Sequence, residues 1–248
     1  MAAHCRSGRL DDIFPYPRRH NDALCEKPDG IYVFATAAVR QSLNGREFCD
    51  RIKNLTSLTV DVVSGEVEAS LGVKGALKGG KGAMIDIGGA SSEVAFVGEK
   101  SSYSKSYKIG ASTLTERMKN EALCDILNEV FAELPKDLGR EFVAIGGTAT
   151  SVAAMLLELK LYKPELIDGF FIEKNKLFSL RERLSVLSTE EISRMPGLQN
   201  GREEVIFAGV NILCYLVEKL NLEGVTVSES DNLEGYLEYI RGENEKKV

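Results

Sequence analysis

Short apolar runs alternate with amphipathic segments along most of the chain, and this alternation predicts an α/β fold with a mixed sheet. Three of the runs follow one another with only short turns between them, which is typical of an antiparallel meander. The predicted strands are residues 31–35, 58–63, 83–87, 93–97, 103–109, 141–145 and 225–227. The predicted helices include residues 66–77, about 112–135, 148–159, 205–217 and a last helix from residue 233.

A connector rich in Gly and Lys, residues 78–82, follows the helix predicted over residues 66–77. We place a domain boundary or hinge near residues 71–82. Residues 75–82 fit the spacing G-x-x-x-x-G-K, but Gly82 stands where a P-loop needs Ser or Thr for Mg²⁺. The segment also joins a helix to a strand, the reverse of the order that a P-loop requires. It therefore predicts a flexible connector.

Residues 1–25 do not share this pattern. They hold both histidines of the chain, His4 and His20, and two of its five cysteines. Pro15 and Pro17 disfavour a helix, and no apolar core of a secretory signal follows the early charges. We interpret this stretch as a non-native, truncated or poorly ordered leader; an ordinary loop-rich start is the alternative.

Composition narrows the classes of function. The chain has 248 residues and a net charge of −6, which argues against a broad basic face for duplex nucleic acid. No run reaches the roughly 18 apolar residues that a membrane span needs. The odd number of cysteines, with no C-x-x-C pair, favours a reducing cytoplasm over a disulfide framework or a zinc site. Because no histidine follows residue 20, metal–histidine clusters and Ser-His-Asp catalysis are excluded from the body of the chain.

The strongest candidate for chemistry is the segment DIGGASSE at residues 86–93. Asp86 ends a predicted strand, and Gly88 and Gly89 predict a turn with positive φ. Such a turn presents successive N–H groups that suit phosphate oxygens, and Asp86 beside it could hold Mg²⁺ directly or through water. A plain glycine hairpin turn with an exposed aspartate is the alternative, and these residues alone do not decide between the two.

Two other strand-to-helix junctions carry weaker signals. Glu66 and Glu68 lie at the start of a predicted helix, where one of them could be a general base aimed at a water; the helix macrodipole by itself explains both acids better. Residues 146–150, GGTAT, open another helix whose free N–H groups could bind a phosphate. A tight turn capped by Thr148 or Thr150 is at least as good an interpretation.

Several segments together resemble the exopolyphosphatase / guanosine pentaphosphate phosphatase (Ppx/GppA) family. Each is weak alone, but their order and spacing are specific, and the likeness runs from about Ile31 to Tyr239. The matching segments are ATAAVR at residues 35–40, VSGEVEA at 63–69, IDIGGASSE at 85–93, IGA at 109–111, AIGGT at 144–148, MPG at 195–197, and Arg202 with Ile206, Gly209 and Leu213.

The resemblance implies an actin-like (ribonuclease-H-like) fold of two α/β lobes with mixed sheets and a cleft between them. We assign residues 26–72, together with a C-terminal helix over residues 233–248, to the first lobe. Residues 73–232 form the second lobe, and residues 1–25 are left outside both as a divergent leader.

The chain departs from the family's pattern in two places. The family's opening phosphate turn, D-x-G-[ST]-N-[ST], has no match before Ile31, so we expect a truncated first lobe whose sheet has an unpaired edge. The family's late motif S-D-x-x-x-R-E-G reads SESDNLEG at residues 228–235, with Glu229 for the aspartate and Leu233 for the arginine.

Family members hydrolyse terminal phosphoanhydride bonds of inorganic polyphosphate or of guanosine pentaphosphate (pppGpp) with Mg²⁺. The resemblance implies that Glu68 activates the attacking water, that Asp86 serves the metal or the water, and that Glu93 supports this cluster. It implies phosphate binding by Arg40, Gly88, Gly89, Ser91, Gly146, Gly147 and Thr148. We therefore expect a phosphohydrolase of this kind, cytoplasmic and without nucleic-acid or membrane partners.

Two alternatives stay open. One is a catalytically impaired module of the same fold that binds phosphate or nucleotide, because one of two facing phosphate clamps is missing. The other is a nucleotide-dependent kinase or ATPase with the same lobes. The exposed sheet edge and the hinge near Gly79 favour a homodimer, and the sequence does not choose between polyphosphate and pppGpp.

Overall fold

A computed structural model describes residues 30–78, 80–136, 138–139 and 141–245. The leader predicted at residues 1–25 lies outside the described residues. The contacts within the chain divide it into two units, and the boundary in the sequence lies between Ser64 and Gly65. Among the described residues, no helix has the length and apolarity needed to cross a membrane.

The first unit is a small parallel βαβ arrangement. Strand β1 (Val33–Ala35) pairs in parallel with β2 (Val60–Val62), with Val33 opposite Val60. Two helices connect them, α1 (Ala37–Arg40) and α2 (Gly45–Thr56). Both predicted strands are confirmed but shorter than expected. In the longer segment predicted for β1, Ile31 and Tyr32 are exposed.

The second unit is built on a six-stranded mixed sheet. Its strands are β3 (Gly82–Ile87), β4 (Ser92–Val97), β5 (Ser102–Tyr107), β6 (Phe142–Ile145), β7 (Phe171–Glu173) and β8 (Gly224–Val227). They lie in the order β5-β4-β3-β6-β8-β7. The predicted meander is confirmed, since β3, β4 and β5 pair antiparallel. Strands β3, β6 and β8 run parallel to one another, and the edge strand β7 is antiparallel to β8.

The helices of the second unit cover the sheet. They are α3 (Gly65–Leu77), α4 (Ala111–Arg117), α5 (Leu123–Val130), α6 (Gly146–Leu156), α7 (Pro164–Ile167), α8 (Lys174–Ser185), α9 (Thr189–Ser193), α10 (Ile206–Lys219) and α11 (Asn232–Glu245). The single long helix predicted over residues 112–135 is wrong. It is two helices, because Ala122 has an extended backbone where the second one begins.

The two faces of β3 pack in two different apolar clusters. Ile85 and Ile87 belong to the large apolar core, which also contains the buried helix α10 predicted over residues 205–217. Met84 points to the opposite face, where it packs with Val73 of α3, Ala95 and Ile145 in a small second cluster. Because side chains alternate along a strand, Asp86 lies on the same face as Met84, under α3.

The division between the units differs from the predicted lobe boundary, which separated residues 26–72 from 73–232. Helix α3 and the C-terminal helix α11 both belong to the second unit. The physical reason is packing: α3 lies against β3, β4 and β5, and α11 lies along α3. The hinge predicted near residues 71–82 stays a prediction.

Glycines let α3 and α11 come unusually close together. A Cβ atom on Gly235 would lie 1.9 Å from the Leu71 carbonyl oxygen. On the other helix, a Cβ on Gly75 would lie 1.9 Å from the Asp231 carbonyl oxygen. Real Cβ atoms do not approach oxygen so closely, so a larger residue at either position would force the two helices apart.

We expect Gly235→Ala to lower the free energy of unfolding by about 1–3 kcal/mol, the usual cost of inserting a methyl group into a close-packed contact. Urea unfolding measures this change. Leu237→Ala is the control on the same helix, because Leu237 is 51% exposed and should change stability by about 0.5 kcal/mol or less. Equal stability of Gly235→Ala and the wild type would mean that the helix contact is looser than described.

Candidate active site

Asp86 lies near the C-terminal end of β3, between β4 and β6. Its register partner on β4 is Glu93, so the two carboxylates form a cross-strand pair on one face of the sheet. Both are buried, with Asp86 7% exposed and Glu93 1% exposed. The Ser106 hydroxyl of β5 donates a hydrogen bond of 2.6 Å to Glu93 Oε1. The sequence placed these two acids on neighbouring strands, and the register brings them face to face.

A third carboxylate comes from the helix that covers this face. Glu68 is in the first turn of α3 and is only 5% exposed. Its charge acts on Asp86 strongly enough to raise the pKa of that carboxyl. The structure therefore brings together all three acids proposed for catalysis. The helix macrodipole, which was the competing explanation for an acidic helix start, does not require Glu68 to be buried among other acids.

Burial raises the pKa of Asp86 well above its ordinary range, and the charges of Glu93 and Glu68 raise it further. The hydrogen bond from Asn232 opposes this shift, while Asp231 adds to it. Several buried carboxylates so arranged repel one another when ionised, unless a cation or hydrogen-bond donors neutralise them. The cluster is therefore suited to binding positive charge.

The turn between β6 and α6 adjoins Asp86. Gly146 has φ +78°, and a Cβ on it would lie 2.4 Å from Asp86 Oδ1. Only glycine satisfies both constraints, the left-handed backbone and the close carboxylate. The helix α6 begins at this residue, so the N–H groups of its first turn have no acceptor within the helix and can bind an anion.

Arg202 stacks on the same turn. A Cβ on Gly147 would lie 2.0 Å from Arg202 Nη2, so the guanidinium group rests directly on the Gly147 backbone. Its Nε donates to Gln199 Oε1 at 3.3 Å, and Arg202 forms no ion pair with any described residue. Burial lowers the pKa of Arg202. A half-buried guanidinium without a carboxylate partner, next to a helix N-terminus, is suited to a phosphate group.

The glycine corner at residues 88–91 closes the hairpin between β3 and β4. The prediction of positive φ for Gly88 and Gly89 is wrong, because their φ values are not positive. The corner is instead shaped by hydrogen bonds: the Gly88 N–H donates to the Ser91 carbonyl at 3.0 Å, and the carbonyls of Gly88 and Gly89 accept from the first turn of α4. The N–H groups of Gly89 and Ala90 have no acceptor among the described residues, and Gly89 is exposed.

Gly110, directly before α4, makes this arrangement possible. A Cβ on Gly110 would lie 2.5 Å from the Gly88 carbonyl oxygen and 2.7 Å from the Ala90 nitrogen. Gly110 therefore permits the contact that holds the corner against α4. The predicted hairpin is confirmed, and phosphate binding by its uncommitted N–H groups stays a prediction.

The remaining predicted residues have structural contacts of their own. The Thr148 hydroxyl is buried and donates to the Ile87 carbonyl at 3.2 Å, which ties the start of α6 to the end of β3. Ser91 is 2% exposed. Arg40 lies in the first unit, where its Nη1 donates to the Val63 carbonyl at 2.6 Å. A role in phosphate binding for these three side chains stays a prediction.

The model of the Ppx/GppA phosphatase family matches residues 24–239 of this sequence. The chain belongs to the Ppx/GppA phosphatase family.

Relatives with solved structures and assigned names agree with this membership. The Ppx/GppA enzyme of Aquifex aeolicus superposes with a TM-score of 0.76 at 25% sequence identity, over 95% of this chain and 84% of that one. The actin-like fold is thereby confirmed. Exopolyphosphatase 2 of Mycobacterium tuberculosis is 25% identical over 232 residues, covering 83% of this chain and 73% of its own length.

A second kind of relative carries a different name. The guanosine-5'-triphosphate,3'-diphosphate pyrophosphatase of Photobacterium profundum is 30% identical over 244 residues. The match covers 91% of this chain but only 47% of that protein. The Ppx/GppA chain described here therefore corresponds to about half of that relative.

Two residues at the site, Arg202 and Asn232, carry no local sequence signal for their contacts there. Arg202 appeared in the family pattern, but its distance of more than fifty residues from Gly147 hid the contact between them. Asn232 donates from Nδ2 to Asp86 Oδ2 at 3.0 Å across 146 positions of sequence. It stands at a variable position of the family's late motif, so no sequence signal marked it.

The carboxylate ligands at this site fit only one mode of Mg²⁺ binding. No group of three His, Cys, Asp or Glu side chains within the described residues converges closely enough to hold a metal ion. Mg²⁺ keeps several waters and is commonly bound by one or two carboxylates together with substrate phosphates. Asp86, with its excess of nearby negative charge, suits that mode and not a cage of protein ligands.

We expect Asp86→Asn to make the protein more stable at neutral pH in the presence of a chelator. The raised folded pKa means that the contribution of Asp86 to stability is fully present below its unfolded pKa of about 3.9 and is lost as the pH rises through the folded value. The variant should therefore gain stability at pH 7 and gain nothing near pH 3.

Urea unfolding between pH 3 and 8 measures this difference. The exposed Asp125→Asn is the matched control, for which we expect a change of about 0.5 kcal/mol or less. A variant at Asp86 that is less stable than the wild type at pH 7, or a gain independent of pH, would contradict the assigned electrostatics.

Proposed function

We propose that this chain is a phosphohydrolase that removes the terminal phosphate of inorganic polyphosphate or of pppGpp by Mg²⁺-assisted attack of water. The observation that supports this proposal is the juxtaposition, at the end of β3, of three buried carboxylates with two groups suited to anions. The carboxylates are Glu68, Asp86 and Glu93. The anion-binding groups are the first turn of α6 and the guanidinium of Arg202.

Glu68 is the proposed general base. Its carboxylate is buried on a helix that is packed against the sheet and against α11, so its position is fixed by the core and not by a loop. A base must reach the water that it deprotonates, and a rigid position beside the metal site allows this.

Asp86 is the proposed Mg²⁺ ligand, and Glu93 the acid that supports it from the neighbouring strand. A bound Mg²⁺ would neutralise charge on the phosphate oxygens and on the carboxylates. Glu93 is held by the Ser106 hydroxyl, so it can contribute negative charge at a fixed place without moving. Positioning and charge neutralisation carry most of the catalysis in phosphoryl transfer, which suits a site with no nucleophilic side chain.

The protein groups proposed to bind phosphate lie on two glycine turns. The free N–H groups of Gly89 and Ala90 and those of the first turn of α6 supply hydrogen-bond donors of the kind that bind phosphate oxygens. Arg202 adds a full positive charge next to Gly147. A chain with a net charge of −6 needs such local donors to bind a polyanion.

The finer points stay predictions. The relatives carry both substrate names, so polyphosphate and pppGpp are proposed together. Three further features are predicted only from the sequence: the homodimer, the cytoplasmic location and the phosphate contact of Arg40.

Glu68→Gln should lower kcat for phosphate release by roughly 100-fold or more, since a positioned general base contributes typically 10²–10⁴-fold. Substrate KM should change little, because the amide keeps the shape of the side chain. The assay is release of inorganic phosphate from polyphosphate and from pppGpp with excess Mg²⁺. Glu66→Gln is the control on the same turn of α3, since Glu66 is exposed. Normal activity of Glu68→Gln would remove this residue from the mechanism.

Arg202→Gln should raise KM by roughly tenfold or more, equivalent to about 1.4 kcal/mol, because a charge-assisted contact to phosphate is lost. Arg202→Lys should recover only part of this, since lysine does not reproduce the planar guanidinium that rests on Gly147. Steady-state kinetics on both substrates give the values. Arg194→Gln removes an exposed arginine that pairs with Glu190 and serves as control. Unchanged KM in Arg202→Gln would show that this arginine does not contact substrate.

A further inference from the structure

The Asn232 side chain presents an unusual combination of one satisfied and one unsatisfied polar atom. Its Nδ2 donates to Asp86 Oδ2 at 3.0 Å. Its Oδ1 is buried and has no hydrogen-bond partner among the described residues. That oxygen lies over Gly72 of α3, where an added Cβ would come within 3.0 Å of it.

A buried carbonyl oxygen without a donor destabilises a fold, because it has lost its hydrogen bonds to water. Leucine has nearly the same shape as asparagine and would bury no polar atom here. Packing of α11 on α3 therefore gives no reason for an amide at this position. The feature that asparagine adds is the N–H donor to Asp86.

The position of that donor is fixed by the start of α11. The Asp231 carboxylate accepts from the Leu233 N–H at 2.8 Å, and the Glu234 carboxylate accepts from the Asp231 N–H at 2.9 Å. This reciprocal pair caps the helix and fixes its first turn. The glycine contacts between α3 and α11 then bring Asn232 within reach of the sheet.

The two oxygens of Asp86 consequently have different surroundings. Oδ2 is bound by Asn232, whereas Oδ1 lies against Gly146, at the turn that opens α6. The amide thus sets the rotation of the carboxylate and leaves Oδ1 beside the anion-binding turn. A neutral donor does this without adding a positive charge, whereas a lysine or arginine at this place would repel a cation.

We propose that Asn232 is a positioning residue of the active site: it fixes the carboxylate of Asp86 so that one oxygen is presented to Mg²⁺ beside the phosphate-binding turn. This inference rests on the proposed function. It makes the C-terminal helix a contributor to the catalytic site, and it assigns Gly72, Gly75 and Gly235 the task of letting that helix approach closely enough.

The test is Asn232→Leu in the full chain, with stability, kinetics and metal binding measured separately. We expect the temperature of thermal unfolding in chelator to shift little, because removal of the unsatisfied oxygen offsets loss of the hydrogen bond to the Asp86 carboxylate. We expect kcat to fall by about 10- to 100-fold, the usual effect of removing the hydrogen-bond partner of a metal-binding group. KM for substrate should change little, because the hydrogen bond of the Asn232 side chain goes to Asp86 and not to a group proposed to bind phosphate.

Metal binding is measured directly with Mn²⁺ as the probe, by electron paramagnetic resonance of the free ion. We expect Asn232→Leu to weaken Mn²⁺ binding by about tenfold or more. Asn232→Ala is the second variant, for use if leucine does not fold, and it should show the same losses. Glu238→Gln, an exposed change on the same helix, is the control and should match the wild type.

The outcomes separate this inference from the proposed function. If the wild type releases phosphate and Asn232→Leu does so at the same kcat with the same Mn²⁺ affinity, the positioning role is overturned and the hydrolase stands. If kcat falls only as far as the fraction of folded protein, and the folded variant keeps the Mn²⁺ affinity of the wild type, Asn232 is a packing residue and the inference is likewise overturned. If the wild type releases no phosphate, the proposed function fails, and equal Mn²⁺ binding by wild type and variant then overturns the positioning role as well.

Discussion

The burial of the Asp86 carboxylate among other acids is the constraint on which the site depends. A carboxylate at this depth, with Glu93 opposite and Glu68 above, is unfavourable by itself, and the raised pKa of Asp86 expresses that cost. The large apolar core on the other face of β3 supplies the stability that allows it. Such an excess of buried negative charge favours a bound cation, and this is the basis of the Mg²⁺ site proposed above.

Close backbone contacts determine where the charged groups lie. Gly146 allows Asp86 Oδ1 to lie close to its backbone, and Gly110 allows the glycine corner to do so. Gly75 and Gly235 allow helices α3 and α11 to pack closely together. At each place a methyl group would collide with an oxygen or nitrogen of the neighbouring segment. These four glycines therefore act mainly by allowing close approach, and only Gly146 among them also needs a left-handed backbone. The geometry of the acids follows from these contacts.

For three polar or charged groups near the site, burial is unfavourable for folding. They are the carboxylate of Asp86, the guanidinium of Arg202, whose pKa burial lowers, and the side-chain oxygen of Asn232. Other buried polar groups at this end of β3, such as the hydroxyls of Ser92 and Thr148, donate to nearby carbonyls. The buried Ser151 hydroxyl of α6 is also without a hydrogen-bond partner among the described residues. Native proteins tolerate unfavourable burial where a ligand repays it, so the three groups support the binding site proposed at this end of β3.

The sequence by itself determined the alternation of strands and helices, the meander and the glycine corner after Asp86, because period and turn chemistry are local properties. It also determined that Asp86 and Glu93 would sit on adjacent strands. Only the tertiary structure decided that α3 and α11 belong with the second unit, since that depends on glycine contacts between segments about 160 residues apart. It likewise decided that Arg202 rests on Gly147 and that Asn232 holds Asp86. Those pairings join distant positions through packing, and no local pattern of residues encodes them.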